Sequence, residues 1–125
     1  MIYLDTHIVA WLYAGEKELL TTKTAFLIKK NELFISPIVQ LELQYLIEVK
    51  RIKGNSLSII EYLQKNIGLK ICQQNFSNVI SKSIENTWTR DPFDRIIVAQ
   101  AALARKKLIS KDKMIRKHYK LAEWD

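Results

Sequence analysis

Four acids, Asp5, Glu42, Asp94 and Asp112, are of a type and in places from which they could do chemistry together. Asp94 falls in the first turn of a helix opened by Asp91-Pro92-Phe93, with Asp91 as N-cap and Pro92 at the first helical position. That helix is apolar on nearly every side, and Asp94 shares a face with Ile97, Val98 and Ala101 at i+3, i+4 and i+7. A charge on such a face points inward or into a cleft and needs a partner, for which a metal ion is well suited. The competing reading is an acid at the third helical position that reaches back to the N-cap amide and opposes the helix dipole. Glu42 has Ile38, Tyr45, Leu46 and Val49 at i−4, i+3, i+4 and i+7, so it too lacks polar company. Glu48, by contrast, has Arg51 at i+3 and reads as half of a surface pair.

A cluster of these four acids repels itself without a cation, and part of it is then held protonated by raised pKa values. An oxygen-only ligand set suits Mg²⁺, with Mn²⁺ as substitute, rather than zinc. Mg²⁺ keeps several waters and bridges to substrate phosphate, activates a water and neutralises charge on phosphoryl oxygens.

The elements that would position these acids alternate between short apolar strands and longer helices. Strands are expected at Ile2-Tyr3-Leu4, Leu33-Phe34-Ile35, Leu69 to Cys72 and Lys107-Leu108-Ile109. Between them the pattern predicts helices from Thr6 to Gly15, about Lys17 to Lys30, Pro37 to about Lys50 with Ser36 as N-cap, and Leu57 to Asn66. Further helices are expected from Phe76 to about Asn86, from Pro92 to about Ala104, and in a short last segment capped by Ser110. This alternation predicts an α/β protein, a three-layer α/β/α sandwich around a short parallel sheet of four to five strands. Ligands of such sheets bind beyond the carboxyl ends of the strands. Asp5 directly follows the first strand and Asp112 comes shortly after the last.

The 125 residues fit one domain, with nearly half hydrophobic and little glycine or proline. No apolar run is long enough to span a membrane. The first residues carry no basic leader or signal-type cleavage site, and the single cysteine, Cys72, reads as a buried structural thiol, so a cytoplasmic location is expected. Twenty basic residues against thirteen acidic ones leave a net charge of +7. Eight of the basic residues fall between Arg105 and Lys120, where Asp112 is the only acid. Such a segment serves either as a footprint for a polyanion or as a solubilising face. An acidic pocket within a basic surface fits nucleic-acid hydrolysis, with lysines on the phosphate backbone and metal at one linkage.

The motifs Leu4-Asp5-Thr6-His7, Ser36 through Glu42, Arg90 through Ala101 and Ile109 through Asp112 together resemble the PIN-domain ribonucleases, and within them the VapC-type toxins of toxin–antitoxin pairs. The Arg-Asp-Pro-Phe-Asp-Arg segment followed by Ala-Gln-Ala is the most specific of these. The resemblance covers essentially the whole chain. It implies an α/β/α sandwich, Mg²⁺-dependent cleavage of RNA, a cognate antitoxin and a homodimer. It assigns the acidic site residues to Asp5, Glu42, Asp94 and Asp112, and a supporting hydroxyl to Thr6. Relatives often carry His just before Arg-Asp-Pro-Phe, and this chain has Thr89 there, which cannot titrate in that range.

Other residues are explained without catalysis. Capping accounts for Asp91 and for Ser110, although the Ser110 hydroxyl would also face the site. Arg95 either supports the site by pairing with a carboxylate, contacts RNA, or forms a structural salt bridge. Trp11, Tyr13 and Trp88 could stack bases or a partner helix, with core packing the default for Trp11. Two other classes of function compete: a catalytically silent RNA-binding module with a basic C-terminal helix, and a phosphatase with Asp5 as nucleophile. The second lacks the Asp such enzymes commonly need two positions on, where His7 stands.

Overall fold

The computed structural model describes residues 1–125. Strand β1 (Ile2–Leu4) is wholly buried and leads into helix α1 (Thr6–Ala14), which Asp5 caps. Gly15 stops α1 in the left-handed region at φ 72°, and its amide returns to the Leu12 and Trp11 carbonyls. The single helix expected from Lys17 to Lys30 is divided. A 3₁₀ turn spans Lys17–Leu19, and α2 (Thr22–Lys30) starts afresh because the Thr21 hydroxyl accepts from the Thr24 amide at 3.1 Å.

Strand β2 (Leu33–Ile35) precedes α3 (Ile38–Glu48), which begins just past Pro37 with the Ser36 hydroxyl accepting from the Ile38 amide at 3.2 Å. Then come α4 (Ser56–Ile67), β3 (Lys70–Ile71) and α5 (Phe76–Ser83). Helix α5 ends three residues before the expected Asn86, whose side-chain amide instead donates to the Arg95 carbonyl at 2.9 Å and ties the loop to the next helix. Helix α6 (Pro92–Ala104) has the predicted Asp91 cap and Pro92 start. Strand β4 (Leu108–Ile109) and α7 (Lys113–His118) follow, and β5 (Ala122–Glu123) closes the chain. The cap of α7 is Asp112, whose Oδ1 accepts from the Met114 and Ile115 amides at 2.8 and 2.9 Å, and not the expected Ser110.

The five strands are all parallel, in the order β3-β2-β1-β4-β5. The fifth, at the upper end of the expected four to five, had no strand-like signature of its own. It is two half-buried residues, held because Leu108 and Ile109 pair with Ala122 and Glu123. The chain moves outward from β1 to β2 and β3, then returns to place β4 on the other side of β1. The order therefore reverses between β1 and β4, the place where open parallel sheets bind ligands. The residues just past those two strand ends are Asp5 and Ser110, and the Asp5 amide donates to the Ile109 carbonyl at 3.0 Å.

Helix α3 packs against α1, α4 and α6, and α5 pairs with α6. Leu4, Ile8, Ile35, Leu43, Ile97, Leu108 and Ile109 are fully enclosed between these elements. Close packing of this kind makes the sheet ends a rigid platform, since truncating any one such side chain costs about 2–5 kcal/mol. Cys72 is buried and free, and the Tyr3 hydroxyl donates to its Sγ at 2.8 Å. Burial, with this contact adding to it, pushes the Tyr3 hydroxyl up and keeps it protonated. No helix is long and apolar enough to cross a membrane.

Candidate active site

A cleft of about 400 Å³ at the carboxyl ends of the strands is lined by Asp5, Glu42, Asp91, Asp94 and Asp112, together with His7, Trp11 and Lys111. The four expected acids are thus brought together from the end of β1, the middle of α3, the first turn of α6 and the start of α7. Asp91 joins them as a fifth. It caps α6 as predicted, with Oδ1 accepting from the Phe93 and Asp94 amides at 2.8 and 3.3 Å, yet it also borders the cleft.

Each carboxylate has a different set of partners. Asp5 is held at both oxygens: Oδ1 accepts from the Thr6 amide at 2.8 Å and Oδ2 from the Ser110 hydroxyl at 2.7 Å. Burial still pushes its pKa up, against the pull of those two bonds. Glu42 accepts from the Thr6 hydroxyl at 2.5 Å. Burial raises it to about 7, the Thr6 bond opposes, and the charges on Asp5 and Asp91 add to the rise. Asp94 is pushed up to about 8, first by burial and then by Asp5, Asp91, Asp112 and Glu42. Asp112 spends Oδ1 on the α7 cap, and its own amide donates to the Ser110 hydroxyl at 3.1 Å. Ser110 therefore sits between two of the acids, donating to one and accepting from the backbone of the other.

The competing account of Asp94 meets a geometric obstacle. A third-position acid that completes a capping box bonds the N-cap amide. Here the Asp91 amide donates to the Thr89 hydroxyl instead, at 3.1 Å. Asp94 faces the cleft with no side-chain hydrogen bond or ion pair to hold it. Thr89, at the position where a His was noted as missing, has a structural role: its hydroxyl takes the Asp91 amide and its carbonyl takes Arg95 Nε at 2.8 Å. Of the three readings of Arg95, the two ion pairs are absent: it meets neither a site carboxylate nor a salt-bridge partner and braces the loop before α6, which leaves contact with RNA.

None of the five cleft acids takes part in an ion pair, although the chain carries an excess of basic residues. Lys111 is the one Lys or Arg on the cleft lining, with its Nζ 6.0 Å from the centre of the Trp11 ring. The sequence reading missed it as a lining residue, although its place between Ser110 and Asp112 after β4 was the available signal. No group of three or more His, Cys, Asp or Glu side chains is drawn together tightly enough to hold a metal ion alone. Mg²⁺ takes only one or two carboxylates and fills its remaining positions with water and phosphate. The donor set, all oxygen, with crowded and partly protonated carboxylates, fits a hard divalent cation. Asp5, Glu42, Asp94 and Asp112 are the residues that would hold it, with Thr6 and Ser110 behind them fixing Glu42 and Asp5.

The stacking candidates divide. Trp88 is already stacked on His118, with ring centres 5.0 Å apart and planes within 3°. Tyr13 meets Tyr62 edge-on at 5.4 Å. Trp11 is half-buried against the core, and its ring nonetheless borders the cleft beside the exposed His7.

No curated protein sequence matches the chain significantly. Among solved structures, the chain is similar to the crystal structure of VapBC2 from Rickettsia felis bound to a DNA fragment from their promoter, with a TM-score of 0.68 and 22% identity over 100% of both chains. It is also similar to a toxin–antitoxin complex from Klebsiella pneumoniae, with a TM-score of 0.64 and 20% identity over 92% of this chain and 90% of that one. At those identities the likeness is one of fold. The sequence model of the PIN domain matches residues 2–121, and by that match over nearly its whole length the chain belongs to the PIN domain family.

Proposed function

We propose that this protein is a Mg²⁺-dependent endoribonuclease, with Mn²⁺ as substitute, that acts as the toxin of a toxin–antitoxin pair. The observation that carries the nuclease reading is the set of five carboxylates sharing one cleft at the β1–β4 reversal without a single ion pair. A divalent cation bound there supplies a more acidic water and neutralises charge on the phosphoryl oxygens. The chain's own residues prepare for it. Thr6 turns Glu42 toward the cleft, Ser110 and the Thr6 amide immobilise Asp5, and Asp94 stays free of protein partners. Near neutral pH, burial and mutual repulsion leave Asp94 mostly and Glu42 partly protonated, and a bound cation would favour their charged forms.

The +7 charge and the basic run from Arg105 to Lys120 favour a nucleic acid over a small phosphoester as substrate. The toxin role draws on the fold shared with the two toxin–antitoxin structures, and it brings a cognate antitoxin as partner and a cytoplasmic location. A homodimer completes this reading. Leu41 of α3 and Phe76 of α5 are 56% and 72% exposed and line one apolar hollow, a surface that a second copy would cover.

Induced expression in a bacterial host tests both parts. The wild type arrests growth and degrades RNA, Asp94→Asn does neither, and co-expression of a small open reading frame next to the gene restores growth. Equal arrest by Asp94→Asn would remove the acidic cleft from the account. Arrest that persists with every neighbouring frame would remove the antitoxin.

A further inference from the structure

A second groove, of about 690 Å³, lies beside the acidic cleft and shares His7 and Trp11 with it. Buried Leu46 of α3 and Ile59 of α4 contribute its apolar lining. The segment between α3 and α4 adds Lys50, Arg51 and Lys53, all exposed. None of the three forms an ion pair. Arg51 does not meet Glu48 at i+3 as the spacing suggested, because α3 ends at Glu48 and Lys50 turns the chain away at φ 61°. Glu16 is the only acid on the groove.

A linkage that reacts in the cleft belongs to a strand that must leave the cleft on either side. Inside it the carboxylates repel every phosphate not covered by a cation, so the flanking phosphates need positive charge close by. The groove provides three unpaired cations, and two rings border both it and the cleft, exposed His7 and half-buried Trp11, 6.3 Å apart and tilted by 56°. An aromatic wall with a basic rim is how sequence-tolerant single-strand binding is built. Lys111, over the Trp11 ring, adds a cation on the cleft side of the same wall.

We infer that single-stranded RNA flanking the scissile linkage runs out of the cleft across Trp11 and His7 and through this groove, with its phosphates on Lys50, Arg51 and Lys53. The inference rests on the nuclease reading above. Three cations against one acid set a polyanion ahead of a neutral or basic peptide as occupant.

The test is fluorescence anisotropy of an end-labelled single-stranded RNA, with Mg²⁺, on the Asp94→Asn protein as uncut parent. Adding Lys50→Gln, Arg51→Gln and Lys53→Gln together lowers affinity about tenfold or more. It also flattens the dependence of log affinity on log salt by about 2, at about 0.7 per phosphate contact. Each substitution alone flattens the slope by about 0.7. RNA quenches tryptophan emission in the parent, and Trp11→Phe removes most of that quench. RNA bound with unchanged affinity and slope by the triple variant overturns the groove path while leaving the nuclease reading in place, and points instead to a protein segment as occupant. A parent that fails to bind RNA, with a wild type that fails to cleave it, overturns both.

Discussion

Replacing Asp94 by Asn separates a metal-site acid from a helix-capping one. Burial and four neighbouring carboxylates raise Asp94 from its ordinary 3.8 to about 8 in the folded, metal-free protein, while the unfolded chain keeps the ordinary value. Its contribution to stability is therefore complete below about pH 4 and is lost as pH rises toward 8. Unscreened, the loss at pH 7 is about 4 kcal/mol. The carboxylate is partly open to water, and screening leaves about 2 kcal/mol. The substituted amide keeps the shape without the ionisation, so in EDTA at pH 7 the variant melts higher by about 7 °C. At pH 4 the two proteins melt together. With Mg²⁺ the order reverses, because an ion at about a hundred times its Kd stabilises the wild type by about 2.7 kcal/mol and barely affects the variant. Differential scanning calorimetry at pH 4 and 7, with EDTA and with Mg²⁺, reads all four states. If Asp94→Asn lowers the melting temperature in EDTA at pH 7, Asp94 is serving the α6 dipole and the reasoning fails.

Two further predictions bear on the residues behind and beside it. Thr6→Val removes the donor to Glu42, sends that carboxyl further above about 7, and weakens Mg²⁺ binding by about 10–100-fold in a thermal-shift titration. An unchanged titration would mean the Thr6 bond does not orient a ligand. Asp112→Asn keeps an oxygen for the α7 cap and lowers RNA cleavage with little change in melting, whereas Asp112→Ala costs a further ~1 kcal/mol of stability through the lost cap. Equal stability losses in the two variants would show that the charge, and not the cap, holds α7.

The sheet and most helices were legible because their signals are local. Asp91-Pro92 starts α6, Gly15 stops α1, and the apolar triplets of β1 and β2 are long enough to stand out. What escaped depends on partners distant in sequence. Ala122–Glu123 becomes a strand only by lying beside β4. Thr21 divides an otherwise continuous helical stretch by using its side chain on the backbone. Ser110 and Asp112 both suit a cap, and spacing alone could not show that Ser110 is drawn away by Asp5 across 105 residues. Within the site, Glu42 and Asp94 were legible from their apolar neighbours on a helix face, and Asp5 and Asp112 from their places after strands. Arg95 and Asp91 were not, because one meets a loop carbonyl and the other serves a cap and a cleft at once.

The most direct test of the acidic cleft as a metal-dependent nuclease is cleavage of a defined single-stranded RNA by purified wild type and Asp94→Asn, each with Mg²⁺ and with EDTA. The account predicts cleavage by the wild type with Mg²⁺ alone, and none in the other three reactions. Cleavage that survives EDTA, or that Asp94→Asn performs at the wild-type rate, would contradict it.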